Sequence, residues 1–140
     1  MKLSAKTRYA ARILFCMAKH MEESPVSSSW LSVQTGISAQ FIEQILRQLR
    51  LAGITDSVRG ACGGHILVQK PDEVTIGKIL NAMGDGMELS FCLDCPESCD
   101  RSHKCAMHDV WENLQQSFNG ALESVSLQDA LHKARPDTVC

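Results

Sequence analysis

The chain has 140 residues, a net charge of −2 and seven cysteines. That length suits one domain, or a small domain with an appendage, and no apolar run reaches the length of a membrane span. An odd number of cysteines, with no signal-peptide pattern at the N-terminus, speaks against a disulfide framework and makes the cytosol the expected location.

The net charge hides an asymmetry. Residues 1–70 hold nine Lys/Arg against four Asp/Glu, a balance of +5, whereas residues 71–140 hold five against twelve, a balance of −7. A basic front half and an acidic back half point to a polyanion met by the front alone. The bland alternative is an ordinary solvated surface.

Ser4 can cap a helix over about residues 5–21. On it Ala5, Tyr9, Ile13 and Met17 recur every four residues, with Ala10, Leu14, Ala18 and Met21 beside them. That is a core-facing stripe. Lys2, Lys6, Arg8 and Arg12 give the first turns a basic surface, and Cys16 reads as a small buried side chain. Ser27, Ser28 or Ser29 can cap a short helix with Trp30, Leu31 and Val33 that ends at Gly36. Ser38 starts the next, with Phe41, Ile42, Ile45, Leu46 and Leu49 spaced three and four apart. Two short helices joined by Thr35-Gly36-Ile37-Ser38 form a helix-turn-helix pattern. Gln40, Glu43, Gln44, Arg47 and Arg50 lie off the apolar stripe of the second helix. Facing a major groove, Gln can pair with adenine, Glu can accept from cytosine, and Arg can pair with guanine or phosphate. A plain solvated face is the competing account.

Residues 54–58 and 65–68 read as two short strands around Arg59-Gly60-Ala61-Cys62-Gly63-Gly64, the wing of a winged helix. Arg59 can enter a minor groove or hold a phosphate, and Gly60, Gly63 and Gly64 let backbone approach a partner. Thr75 caps a helix through Ile76, Ile79, Leu80 and Met83, closed by Gly84 and Gly86.

Then comes Cys92-Leu-Asp-Cys95-Pro-Glu-Ser-Cys99-Asp-Arg-Ser-His103-Lys-Cys105-Ala-Met-His108. Four of the seven cysteines and two of the five histidines fall within these seventeen residues. Pro96, Ser98, Asp100 and Ser102 favour an irregular loop, and soft ligands on a polar loop point to a metal or an iron–sulfur cluster. By spacing alone a zinc site of Cys95, Cys99, Cys105 and His108 is an even rival. From about Lys104 a long helical stripe runs through Val110, Trp111, Leu114, Phe118, Ala121 and Leu122, longer than so small a domain needs, so part of it is expected to face another subunit. Ser126 can cap a last short helix with Leu127, Ala130 and Leu131, followed by a frayed tail in which Cys140 is incidental. His103 reads as a loop histidine, and His20, His65 and His132 have no evident partner. No Ser/His/Asp set, phosphate loop or paired carboxylates argues for catalysis.

Three signatures make the chain resemble the iron–sulfur winged-helix repressors of the IscR and NsrR type: Arg8-Tyr-Ala10, Ser57-Val-Arg-Gly-Ala-Cys-Gly-Gly64, and the Cys92…Cys99…Cys105…His108 loop. The resemblance covers Met1 to about Leu131 and implies a homodimer built on the long C-terminal helix and bound to palindromic double-stranded DNA. It implies an iron–sulfur cluster, 2Fe–2S ahead of 4Fe–4S, held by Cys92, Cys99 and Cys105, with His108 as fourth ligand and Cys95 as the alternative. It also implies that Glu43 reads a base edge and that Arg59 contacts DNA. Three departures stand out. Arg8 occupies the position from which some relatives supply an acidic ligand, Cys95 is extra, and Cys62 replaces a usual proline.

The expected architecture is mostly α with a small β-hairpin. A winged helix-turn-helix domain spans residues 1–83, a cysteine-rich loop 84–104, a dimerisation helix and short terminal helix 105–131, and a tail 132–140. The DNA-facing set is Ser38, Gln40, Glu43, Gln44, Arg47, Arg50, Arg59, Gly60, Gly63 and Gly64. The expected function is a dimeric transcriptional regulator, a repressor, whose operator binding responds through the cluster to iron–sulfur status, redox state or nitric oxide. The alternative is a zinc-stapled or thiol-switch winged-helix regulator without a cluster.

Overall fold

A computed structural model describes residues 3–85, 88–135 and 137–140, with the Pro96 side chain excepted. Lys2 and Gly86, invoked above, lie outside them.

The first helix, α1, spans Ala5–Lys19 and begins where Ser4 Oγ accepts from the Thr7 N–H at 3.1 Å. Its buried face is Ala10, Ile13, Leu14, Met17 and Ala18 from the expected stripe, joined by Thr7 and Cys16, whereas Ala5 is exposed, Tyr9 is half-buried, and Met21 lies exposed beyond the helix end. Ser27 is the serine that caps α2 (Ser28–Thr35), accepting from the Trp30 N–H at 3.1 Å. Gly36, at φ +70°, ends that helix in a left-handed conformation that residues with a Cβ rarely adopt. Ser38 caps α3 (Ala39–Leu51), which buries Ile42, Ile45, Leu46 and Leu49.

Strands β1 (Thr55–Val58) and β2 (Gly64–Leu67) pair antiparallel, with Ser57 opposite His65. Val26 bridges to His65 through reciprocal backbone bonds of 3.0 and 2.7 Å, anchoring the hairpin to the start of the helix-turn-helix. Two wing glycines have reasons inside the molecule. A Cβ on Gly64 would stand 2.5 Å from the Val26 carbonyl oxygen, and one on Gly63 would strike the Val58 carbonyl. Gly60 turns the tip at φ +119°.

Thr75 caps α4 (Ile76–Met83), which packs on α1 and α3. Asp85, just beyond it, accepts from the Ser4 N–H at 3.1 Å and the Thr7 hydroxyl at 2.5 Å, locking the start of α1 to the end of α4. The Thr7 bond leads the causes that hold the Asp85 carboxyl below its ordinary value, with Ser4 adding to it.

The cysteine segment is not wholly irregular. It contains a one-turn helix, α5 (Phe91–Asp94), and 3₁₀ turns at Pro96–Ser98 and Ser102–Lys104. The long helix α6 (Ala106–Ser124) buries none of its residues. Its C-terminal end joins the core where Thr75 Oγ1 donates to Glu123 at 2.6 Å. Gly77 makes room for that carboxylate, since a Cβ there would collide with the Glu123 side chain. Ser126 and Asp129 form a capping box for α7 (Leu127–Lys133).

The tail departs from expectation. Instead of fraying, it folds back on α1: the Thr138 carbonyl accepts from Lys19 Nζ at 2.6 Å, and half-buried Cys140 packs against the core. Sequence pattern misses this because the contact joins residues about 120 apart through a single ammonium and a single thiol, with no periodicity.

Candidate nucleic-acid interface and metal-ligating loop

Helix α3 and the hairpin frame a groove lined by Glu43, Gln44, Arg47, Arg50, Thr55, Asp56 and His65. The stripe Ile42, Ile45, Leu46, Leu49 is buried, so helical geometry turns Gln40, Glu43, Gln44, Arg47 and Arg50 outward, and all five are exposed. Arg50 Nη1 donates to Ser57 Oγ at 3.1 Å, coupling α3 to the wing. Arg59 and Gly60 are exposed at the wing tip, with Cys62 beside them. Ser38 serves as the cap of α3 while its side chain stays near the surface.

Glu43 is held in place. Ser28 Oγ donates a short hydrogen bond to its Oε1, and His65 Nε2 lies 3.2 Å from the same oxygen. Ser28 Oγ and His65 Nε2 are themselves 3.1 Å apart, closing a triangle of three side chains from α2, α3 and β2. The Ser28 bond is the main cause that lowers the Glu43 carboxyl below its ordinary range, with His65 and Arg50 adding to it against some desolvation. The sequence offered no sign of His65's part, because its partners lie 22 and 37 residues away.

Arg12 also departs from the expected basic surface. Its Nη1 donates to the Thr35 carbonyl at 3.3 Å and its guanidinium lies 5.7 Å from the Tyr9 ring centroid. It therefore serves the C-terminal end of α2, where a cation is favoured.

In the cysteine loop, Cys92, Cys99, Cys105 and His108 are half-buried and Cys95 is exposed. Cys105 forms the N-cap of α6, and the His108 N–H donates to its carbonyl at 3.0 Å, so both residues belong to one helical turn. Cys92 Sγ lies 3.1 Å from Ser90 Oγ, and Ser98 Oγ donates to the Cys95 carbonyl at 2.6 Å. The loop is tied to α6 by the Leu89 N–H, which donates to Gln115 Oε1 at 2.6 Å. The buried Ser102 hydroxyl meets no hydrogen-bond partner among the described residues. The donor set of thiols plus an imidazole suits a sulfur-ligated centre. The sulfurs are not gathered, however: among the described residues, no three of these ligand atoms lie within 4.8 Å of one another. Three that do are Cys16, His20 and Cys140, a set that sequence reasoning missed.

Beyond the loop, α6 carries Met107, Val110, Trp111 and Leu114 on its surface, exposed by 46%, 43%, 37% and 48%. Their spacing of three and four residues makes one continuous apolar stripe.

The family model described as "Rrf2: Iron-dependent Transcriptional regulator" matches residues 3–133. The chain is 34% identical over 131 residues to the HTH-type transcriptional regulator IscR of Aliivibrio salmonicida, covering 94% of this chain and 77% of that protein. Among solved structures, IscR of T. potens superposes with a TM-score of 0.74 at 30% identity, covering 100% of this chain and 93% of that one. The global cysteine regulator CymR of B. subtilis gives 0.77 at 27% identity, covering 96% and 99%.

Proposed function

The chain belongs to the Rrf2 family and is a DNA-binding transcriptional regulator rather than an enzyme; from that premise we propose that it is a dimeric repressor whose grip on a palindromic operator is set by an iron–sulfur cluster held on the cysteine loop. Cys92, Cys99 and Cys105 are the thiolate ligands and His108 the fourth, with Cys95 as the substitute. When bound, such a cluster supplies iron whose charge and ligation respond to redox state and nitric oxide. The cytoplasm is the working compartment; no helix among the described residues is long and apolar enough to cross a membrane.

One observation carries this reading: the loop runs directly into the first turn of α6, whose exposed apolar stripe is the natural face for a second subunit. Residues that hold a sensor thus abut residues that set the spacing of two DNA-binding heads. Half-sites about one helical turn apart demand a fixed separation of those heads. The loop backbone bonds to Gln115, and α6 bonds through Glu123 to Thr75 at the start of α4, which packs on α3. Gln40, Glu43, Gln44, Arg47 and Arg50 meet base edges and phosphates, while Ser38 sets the start of their helix. Arg59, on the turn built by Gly60, Gly63 and Gly64, reaches the adjacent groove.

A second reading, a zinc-stapled or thiol-switch regulator without a cluster, draws support from the likeness to CymR, a global cysteine regulator. Oxygen-free purification separates the two. Brown protein containing iron and acid-labile sulfide is expected. Colourless protein with stoichiometric zinc, or reversible disulfides without metal, would favour the second. The sensing role is then tested by comparing cluster-loaded protein with the Cys92→Ala, Cys99→Ala, Cys105→Ala triple variant on one operator. Unequal affinity or sequence preference is expected; equality in both removes the role.

A further inference from the structure

We infer that Cys16, His20 and Cys140 form a second metal site, distinct from the cysteine loop, that takes a soft or borderline divalent ion such as Zn²⁺. Cys16 and His20 are four residues apart at the C-terminal end of α1, so they share one face of the helix. Cys140 reaches that face because the tail is held by the Lys19 to Thr138 bond. The two sulfurs and one ring nitrogen lie within 4.8 Å of one another. A tetrahedral zinc with such ligands spaces them about 3.5–3.8 Å apart, so closing on an ion asks for shifts on the order of 1 Å.

The surroundings fit a ligand set better than a chance meeting of thiols. Glu23 Oε1 lies 3.0 Å from His20 Nδ1, the carboxylate–histidine pairing that orients the ring of a metal-ligating histidine. The edge of His20 meets Trp30 at a centroid distance of 5.1 Å, which restrains the ring further. Cys16 is fully buried, whereas the His20 side chain is 24% exposed, so the cluster has an enclosed floor and an open side for entry. Two neighbouring thiolates in an apolar setting are costly without a compensating charge, and a divalent cation supplies it, releasing the thiol protons as it binds. Three protein ligands leave a fourth position for water. Metal here pins the tail to α1, the helix on which α2, α3 and α4 all pack.

The test uses the full chain carrying Cys92→Ala, Cys95→Ala, Cys99→Ala and Cys105→Ala, which removes all four thiols of the loop. Titration with Co²⁺ under argon is expected to give one equivalent bound, with thiolate-to-cobalt charge-transfer absorption. Cys140→Ser, which opens no hole in the core, is expected to weaken cobalt binding at least about 100-fold, and Glu23→Gln, which leaves all three ligands in place, about 10-fold. No uptake in the loop variant overturns the site, as does uptake that Cys140→Ser leaves unchanged. Neither result depends on whether the loop holds a cluster.

Discussion

Glu43 shows how a residue on a recognition surface can be both exposed and positioned. Its side chain is 57% exposed, yet Ser28 and His65 grip the same carboxylate oxygen. Replacing His65 by Ala should loosen Glu43 while leaving every lysine and arginine of the surface in place. The expected result is a several-fold smaller ratio of specific to non-specific DNA affinity with an unchanged salt slope, read by fluorescence anisotropy over a salt series. Arg47→Ala should act differently. If Arg47 meets a phosphate, the log–log salt slope becomes shallower by about 0.9 and affinity falls on all sequences alike. Ser28→Ala removes the main cause of the lowered Glu43 pKa, so the carboxyl should titrate closer to its ordinary value in an NMR pH series. A carboxyl depressed by folding contributes stability above its ordinary value of 4.5, and that contribution is lost as pH falls through the folded value. Ser28→Ala should therefore shrink this contribution at neutral pH.

At the scale of elements, α6 is an amphipathic helix whose apolar side stays exposed among the described residues. Leu114→Glu should convert a dimer into a monomer in sedimentation and weaken operator binding by more than ten-fold, because two linked heads bind far more tightly than one. The wing depends on close backbone approach: Gly64→Ala forces a methyl against Val26 and should cost about 1–3 kcal/mol in chemical denaturation. Such elements differ in how legible they were. Caps at Ser4, Ser38, Thr75 and Ser126, and the buried stripes of α1 and α3, follow from local chemistry and periods of three and four, so the chain itself declares them. Neither the Glu43–His65–Ser28 triangle nor the Cys16–His20–Cys140 cluster could be read that way, since each joins residues that only tertiary packing brings together. The cysteine loop lies between these cases. Its ligand types are plain from composition, while among the described residues its sulfurs are not gathered into one site.

At the scale of the molecule, charge and acid response follow from how the parts are joined. Asp85 clamps α1 to α4 with a carboxyl held below its ordinary value of 3.8, so its contribution is complete above that pH and disappears as acid protonates it. Asp85→Asn should lower the melting temperature at neutral pH and flatten its fall on acidification. A last consequence belongs to the joint where Glu123 passes over Gly77 to reach Thr75. It fastens the C-terminal end of α6, and the stretch from Glu123 back to Ala106 forms a rod about 27 Å long. Displacing the cysteine-loop end by about 1 Å tilts the rod by about 2° around a fulcrum beside the DNA-binding core. The protein thus has the makings of an oar, and in the monomeric Leu114→Glu variant backbone amide exchange should grow progressively faster from Glu123 toward Ala106.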